Sequence, residues 1–139
     1  MKKTSDLEQA LSGKIKLNTF LEANADQFIT YDMNELLTPL MKERKLSKAE
    51  LARRAKMSDV YLFQILSGRR QPSRDKLLCL CIGLELSTAE TQALLKQCHQ
   101  VSLYAKDRRD AIIRYGLERG WNVDQIDDAL FEAGEKMLM

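Results

Sequence analysis

Between Lys42 and Lys76 the chain sets eleven Lys or Arg residues against four acids, a local charge of +7. The net charge of the chain is only +2, so the remainder carries −5, and residues 122–139 hold five acids with Lys136 as their one base. A basic middle between acidic flanks is the footprint of a surface that meets phosphate, and equally of solvated charges on helices. Inside the basic stretch lies MSDVYLFQILSGRRQPSRDKL (57–77): a Ser, a short segment with Val60, Tyr61 and Phe63 around a single Gln64, a Gly, then a basic turn. Gln can donate and accept side by side, while Val60 and Phe63 offer apolar contacts.

Other chemistry-bearing residues form no such pattern. Cys79, Cys81, Cys98 and His99 invite a zinc reading, but a Cys-x-Cys pair on one helix points its thiols about 200° apart. Structural zinc takes its cysteines from a turn or loop at spacings of two to four, so we expect no metal and read the three thiols as small buried hydrophobes. The single histidine has no evident acid or nucleophile partner, and Gly116 and Gly120 make no phosphate-cradling loop. An enzyme is not expected, nor is any cofactor. Arg108 and Arg109, in KDRRD before an apolar helix, could hold an anion at a helix start; solvated capping charges are the simpler account.

Composition bounds the rest. A chain of 139 residues, 45% hydrophobic and 30% charged, suits one folded domain or a small domain with helical extensions. The longest apolar run, around Leu77–Leu84, is too short to span a bilayer. Met1-Lys2-Lys3 leads into polar TSDLEQ, so no signal peptide is expected. Three cysteines with no disulfide framework suit a reducing cytoplasm.

The elements that must position the basic stretch read as helices throughout. Apolar residues recur at three and four spacing, and no stretch alternates as a strand. Cap pairs mark starts at Ser5/Glu8, Asp32/Glu35, Ser47/Glu50, Ser87/Glu90 and Asn122/Gln125, and Gly13, Gly68, Gly120 and Gly134 mark stops. Helices are predicted near 6–12, 18–28, 33–45, 48–55, 59–66, 74–83, 88–98, 107–119 and 123–133. Pro39 falls inside the third: either that helix kinks, or Thr38 caps a fresh start.

The segment 46–87, LSKAELARRAKMSDVYLFQILSGRRQPSRDKLLCLCIGLELS, gives a capped helix, a tight turn, a second capped helix, a Gly and a third helix. Leu51 and Ala55 face inward from the first and Leu62 and Ile65 from the second; Ala52 lets the helices cross closely and Met57 fills the turn. This is the pattern of a helix-turn-helix.

From about 35 to 87 the chain resembles the helix-turn-helix domain of phage repressors, Cro and the Xre-type bacterial regulators. Glu50-Leu51-Ala52, Ser58, Tyr61, Gln64-Ile65, Ser67-Gly68, Pro72-Ser73, Leu77-Leu78 and the closing GLELS carry the likeness. The whole chain, including RRDAIIRYGLERG and DALFEAGEKML, also resembles a set of bacterial helix-turn-helix proteins. The resemblance implies an all-α, five-helix repressor-like domain with its second helix-turn-helix element in the major groove of double-stranded DNA, and homodimers on two-fold sites. It implies base contacts for Asp59, Val60, Phe63 and Gln64, and phosphate contacts for Lys48, Ser58, Tyr61, Arg69, Arg70 and Arg74. Gln64 suits adenine, Asp59 a cytosine amino group, and Val60 and Phe63 thymine methyls. Three residues depart from the family pattern. Lys56 stands where the turn usually has Gly, so its backbone should be strained or take another turn type. Phe63 and Leu66 stand where polar residues are frequent.

The expected organisation is an N-terminal helical extension (1–32), the helix-turn-helix domain (33–87) and a C-terminal helical module (88–139). Apolar faces in the module (Leu94/Leu95; Ala111, Ile112, Ile113, Tyr115 and Leu117; Val123, Ile126, Leu130 and Phe131) would cover the central domain or serve dimerisation or a protein partner. Two functions stay open: a cytoplasmic, sequence-specific DNA-binding transcriptional regulator, or an adaptor or antitoxin-like partner that turns the same apolar helix to a protein.

Overall fold

Every helix from Met33 onward begins at a short polar residue whose side chain accepts a backbone N–H of the first turn, a donor otherwise without an intrahelical acceptor. In the computed structural model, which describes residues 8, 9, 11, 13, 16–23 and 31–139, Asp32 caps α2 (Met33–Glu43), Ser47 caps α3 (Lys48–Arg54) and Ser58 caps α4 (Asp59–Leu66). Ser73 caps α5 (Arg74–Gly83), Ser87 caps α6 (Thr88–Gln97), Asp107 caps α7 (Arg108–Glu118) and Asn122 caps α8 (Val123–Glu132). Of the cap pairs expected among these, only Ser87/Glu90 and Asn122/Gln125 are reciprocal. Glu50 turns its carboxylate to Arg53 and Arg54 instead.

The chain divides into two units, residues 1–31 and 32–139. In the first, residues 8, 9 and 11 are helical and α1 (Leu17–Ala23) follows with Phe20 buried. The expected cap Ser5 and the end of the expected 18–28 helix lie outside the described residues. The second unit is helical, with no strand among the described residues.

Within the second unit α5 is the hub. From Leu77 to Gly83 every residue is buried, as befits a helix apolar all round. It packs against α3, α6 and α8, while α4 packs against α2 and α3, and α7 joins α6 to α8. Leu51, Ala52, Ala55, Leu62 and Ile65 are all buried, as their spacing predicts. One close approach is at Gly83, where a Cβ would lie 3.1 Å from the Ala55 backbone nitrogen and 3.3 Å from Leu51 Cδ1. A second is at Gly116, where a Cβ would fall 2.5 Å from Ile126 Cγ1, so α7 and α8 touch almost backbone to side chain.

Several expectations need correction. Of the two alternatives at Pro39, the fresh start is overturned: one helix runs through it, and Thr38 Oγ1 donates to Asn34 Oδ1 instead of capping. Gly68, Gly120 and Gly134 take the left-handed turns expected of them, with φ of 83°, 69° and 73°, but non-glycine residues do the same elsewhere. Lys45, Lys56, Glu85 and His99 each follow a helix end with φ between 56° and 61°, the left-handed conformation that L side chains resist. The amide of each next residue bonds back five positions (Leu46 to Met41, Met57 to Ala52, Leu86 to Cys81, Gln100 to Leu95), which closes a Schellman-type turn. The expected strain at Lys56 is therefore present and recurs three more times. Residues 88–139 lie in the same compact unit as residues 32–87.

The apolar faces of residues 88–139 divide between two roles. Leu94, Leu95, Ile113, Leu117, Val123, Ile126 and Leu130 are buried, but Tyr115 is 48% exposed and Phe131 72%.

Candidate nucleic-acid interface

α3 and α4 are joined by the tight turn at Lys56-Met57, and α4 holds its inner face down with Leu62, Ile65 and Leu66. Leu66 is therefore a core residue, which explains its apolar character. What remains outward is Asp59, Val60, Phe63 and one edge of Gln64, with Val60 66% and Phe63 57% exposed. Lys48, Ala49, Asp59, Val60 and Phe63 surround an open depression of about 420 Å³. Of the expected base-reading residues, Asp59, Val60 and Phe63 thus lie on one surface, and Gln64 is half-buried beside them.

The flanking charges sort into free and committed groups. Lys48 is the first residue of α3 and exposed, at the end of the helix where the macrodipole disfavours a cation. That placement costs roughly 0.3–1 kcal/mol in the absence of an anion. Ser58 spends one oxygen lone pair on the Tyr61 amide at 3.0 Å, which leaves its O–H as a donor. Arg69 and Arg70 are exposed just past Gly68, whose φ of 83° turns the chain at the end of α4.

Arg70 is more than a surface cation. Its amide donates to the Gln64 carbonyl at 3.2 Å, and its Nε donates to Gln64 Oε1 at 3.1 Å. Its guanidinium carbon is 5.3 Å from the centroid of the Tyr61 ring, and Lys76 Nζ is 5.9 Å from the same centroid. The Tyr61 ring thus faces two cations, and Gln64 is oriented by Arg70. Lys76 is a member of this cluster that sequence reasoning missed. The available signal was a cation in the first turn of α5, the same misplacement that marks Lys48.

Arg74 lies elsewhere. Its guanidinium forms a two-point pair with Asp110 and donates to the carbonyls of Val101 and Ser102, with its side chain 21% exposed. A phosphate would have to displace these bonds, so Arg74 stands outside the surface. Arg109 is likewise no solvated cap and no anion site. It forms a two-point pair with Asp75 and donates to the carbonyls of Lys136 and Met137. Arg108 is exposed.

The cysteines are core residues. Cys79, Cys81 and Cys98 are free and buried, and burial pushes their thiols up to about 11, 12 and 11 respectively. His99 sits outside at its left-handed turn.

The model of a family described as a helix-turn-helix domain matches residues 34–94, from the first turn of α2 into α6. No curated protein and no solved structure matches the chain. The segment is a helix-turn-helix domain by its sequence and by its geometry alike. Among the described residues no helix is long and apolar enough to cross a membrane.

Proposed function

We propose that the protein is a sequence-specific DNA-binding transcriptional regulator of the Xre/Cro type, acting by binding and not by catalysis. α4 enters the major groove, where Gln64, Val60, Phe63 and Asp59 meet base edges. Lys48, Ser58, Tyr61, Arg69 and Arg70 meet phosphates on either side, with Lys76 beside Tyr61. The observation that carries this reading is the oriented Gln64: Arg70 holds its amide on the outward surface of α4, 3.1 Å away, among exposed cations. A side-chain amide so placed can pair with adenine by two bonds, and the cations supply the sequence-independent attraction. The regulator works as a homodimer on a two-fold site, in the cytoplasm, where three buried free thiols stay reduced.

Selection of bound fragments from a genomic library, followed by titration against salt, tests it. The expected outcome is an inverted repeat whose affinity falls steeply as salt rises, by about 0.9 in log K per phosphate contact for each decade of salt. Chain that binds no duplex at low salt would end this reading.

A second reading rests on the exposure of Val60 and Phe63 around an open depression of about 420 Å³. An adaptor or antitoxin-like protein would seat a partner's side chain there, with Phe63 as anchor. The basic cluster on both sides of α4 favours DNA, because a protein anchor has no need of it.

A further inference from the structure

α7 and α8 run antiparallel about the contact of Gly116 with Ile126, and beside that contact they leave an open groove of about 530 Å³. Ala111, Ile112 and Tyr115 line it from α7, Ala129 and Ala133 from α8, and Trp121 closes one end with its ring edge-on to Tyr115 at 5.3 Å. The floor is apolar, and three of its side chains are alanines, so another helix can approach closely.

The two rims carry opposite charge. Arg108 lies on the α7 side, and Arg119 at the end of α7 places its guanidinium 3.2 Å from the Tyr115 ring centroid. Helical spacing puts Asp128 and Glu132 on the outer side of Ala129. The other charges of these helices have partners: Arg109 with Asp75, Asp110 with Arg74, Arg114 with Glu118, Asp124 with Lys56, and Asp127 with the amides of Leu138 and Met139. Arg108, Arg119, Asp128 and Glu132 are exposed, and none of them enters an ion pair among the described residues.

We infer that this groove is the homodimer interface, occupied by the same groove of a second copy of the chain. An unrelated partner would need a basic rim and an acidic rim in matching order. A second copy has them when the two-fold axis runs along the groove, which lays each α7 rim on the other copy's α8 rim, twice. Ile112, Tyr115 and Trp121 form the apolar centre and the four charges its polar edge. This deepens the dimeric reading above by naming its surface, on residues 108–133.

The test is sedimentation of the full-length chain without DNA across concentration, with melting curves to confirm that each variant folds. The wild type is expected to dimerise below about 100 μM. Arg108→Glu with Arg119→Glu, and separately Asp128→Lys with Glu132→Lys, should each weaken self-association about tenfold or more. Mixed in equal amounts, the two folded variants should form a heterodimer, since each reversed rim then meets its complement. A wild type that stays monomeric overturns the inference, as do variants that dimerise normally or a mixture that fails to associate. A chain that dimerises as described yet binds no duplex would count against α4 and leave this surface standing.

Discussion

The guanidinium of Arg74 grips the carboxylate of Asp110 through two bonds, Nη1 to Oδ1 at 3.1 Å and Nη2 to Oδ2 at 3.0 Å. One residue along on each helix the pairing is reversed, with Arg109 on Asp75 at 3.0 and 3.1 Å. An Arg-Asp dipeptide opening α5 thus interlocks with an Arg-Asp dipeptide opening α7. Asp110 also accepts the Tyr104 amide at 3.0 Å, and Arg74 donates to two carbonyls of the same loop. The lock fastens the segment leading into α7 to the fourth helix of the helix-turn-helix domain.

Arg74→Ala should therefore act on stability. Asp110 is 9% exposed in its side chain and would be left a nearly buried charge without its partner. The loss should be about 3 kcal/mol, the low end for a broken buried pair because Arg74 retains some solvent. Denaturant unfolding reads it. Arg69→Ala should leave that midpoint unchanged and flatten the salt dependence of duplex binding by about one unit. If Arg74→Ala flattens the salt slope and spares stability, the lock is not what Arg74 is for.

The left-handed residues offer a gain. Lys45 sits at φ 56° at the turn after α2, a conformation that costs a non-glycine residue roughly 1 kcal/mol. Lys45→Gly should raise stability by up to about 1 kcal/mol, partly offset by the greater freedom glycine gives the unfolded chain. Lys56→Gly should gain less, because Lys56 Nζ also pairs with Asp124 at 2.9 Å. Equal gains at the two sites would mean the Lys56 pair contributes nothing.

How much of this was legible follows from distance along the chain. Caps such as Ser47, Ser58 and Ser87 act over three residues, so the helix starts could be read directly. The outward set of Asp59, Val60, Phe63 and Gln64 followed from helical spacing once α4 was placed. Arg74 could not be sorted from Arg69 and Arg70 in that way, because its partner lies 36 residues later. The stops at Lys45, Glu85 and His99 were hidden for another reason. Tertiary packing of the following residue, such as the buried Leu86, outweighs the local preference for glycine. The close contact of Gly83 with Ala55 was not legible either, because sequence spacing does not relate the two helices.

Glu90 should make stability depend on pH. The Ser87 backbone amide, bonded at 3.1 Å, holds its carboxyl below the usual value of 4.5, with the Arg44 guanidinium on α2 adding to the effect. The folded value lies below the unfolded one, so the contribution is complete above about pH 4.5 and is lost as pH falls through the folded value. The side chain is 41% exposed, so screening keeps the effect to roughly 0.5–1 kcal/mol. Glu90→Gln should thus be less stable than the wild type at pH 7, and the gap should close under acid. A gap that persists unchanged at pH 3 would assign the loss to geometry and not to charge.

The last prediction concerns how α4 reads. Gln64 Oε1 already accepts from Arg70 Nε at 3.1 Å, which leaves its second lone pair and its NH₂ for a base. Adenine needs one acceptor and one donor side by side, and the Arg70 bond restrains the amide that supplies both. Gln64→Ala should then cost about 1–3 kcal/mol at one position of the site while non-specific affinity stays nearly intact. Arg70→Ala should lose two things at once: a phosphate contact, felt on every sequence, and part of the discrimination at the Gln64 position. Arg70→Lys keeps the charge but lacks the planar fork, so it should restore the first loss and not the second. Combined with Gln64→Ala, Arg70→Ala should add only its sequence-independent share, since the discrimination is already gone. Phe63→Ala should cost less than Gln64→Ala, because only a methyl contact disappears. Binding measured on a panel of single-base variants separates these outcomes. A panel in which Phe63→Ala dominates and Gln64→Ala is silent at every position would hand the surface to a protein partner, with Phe63 as the buried anchor.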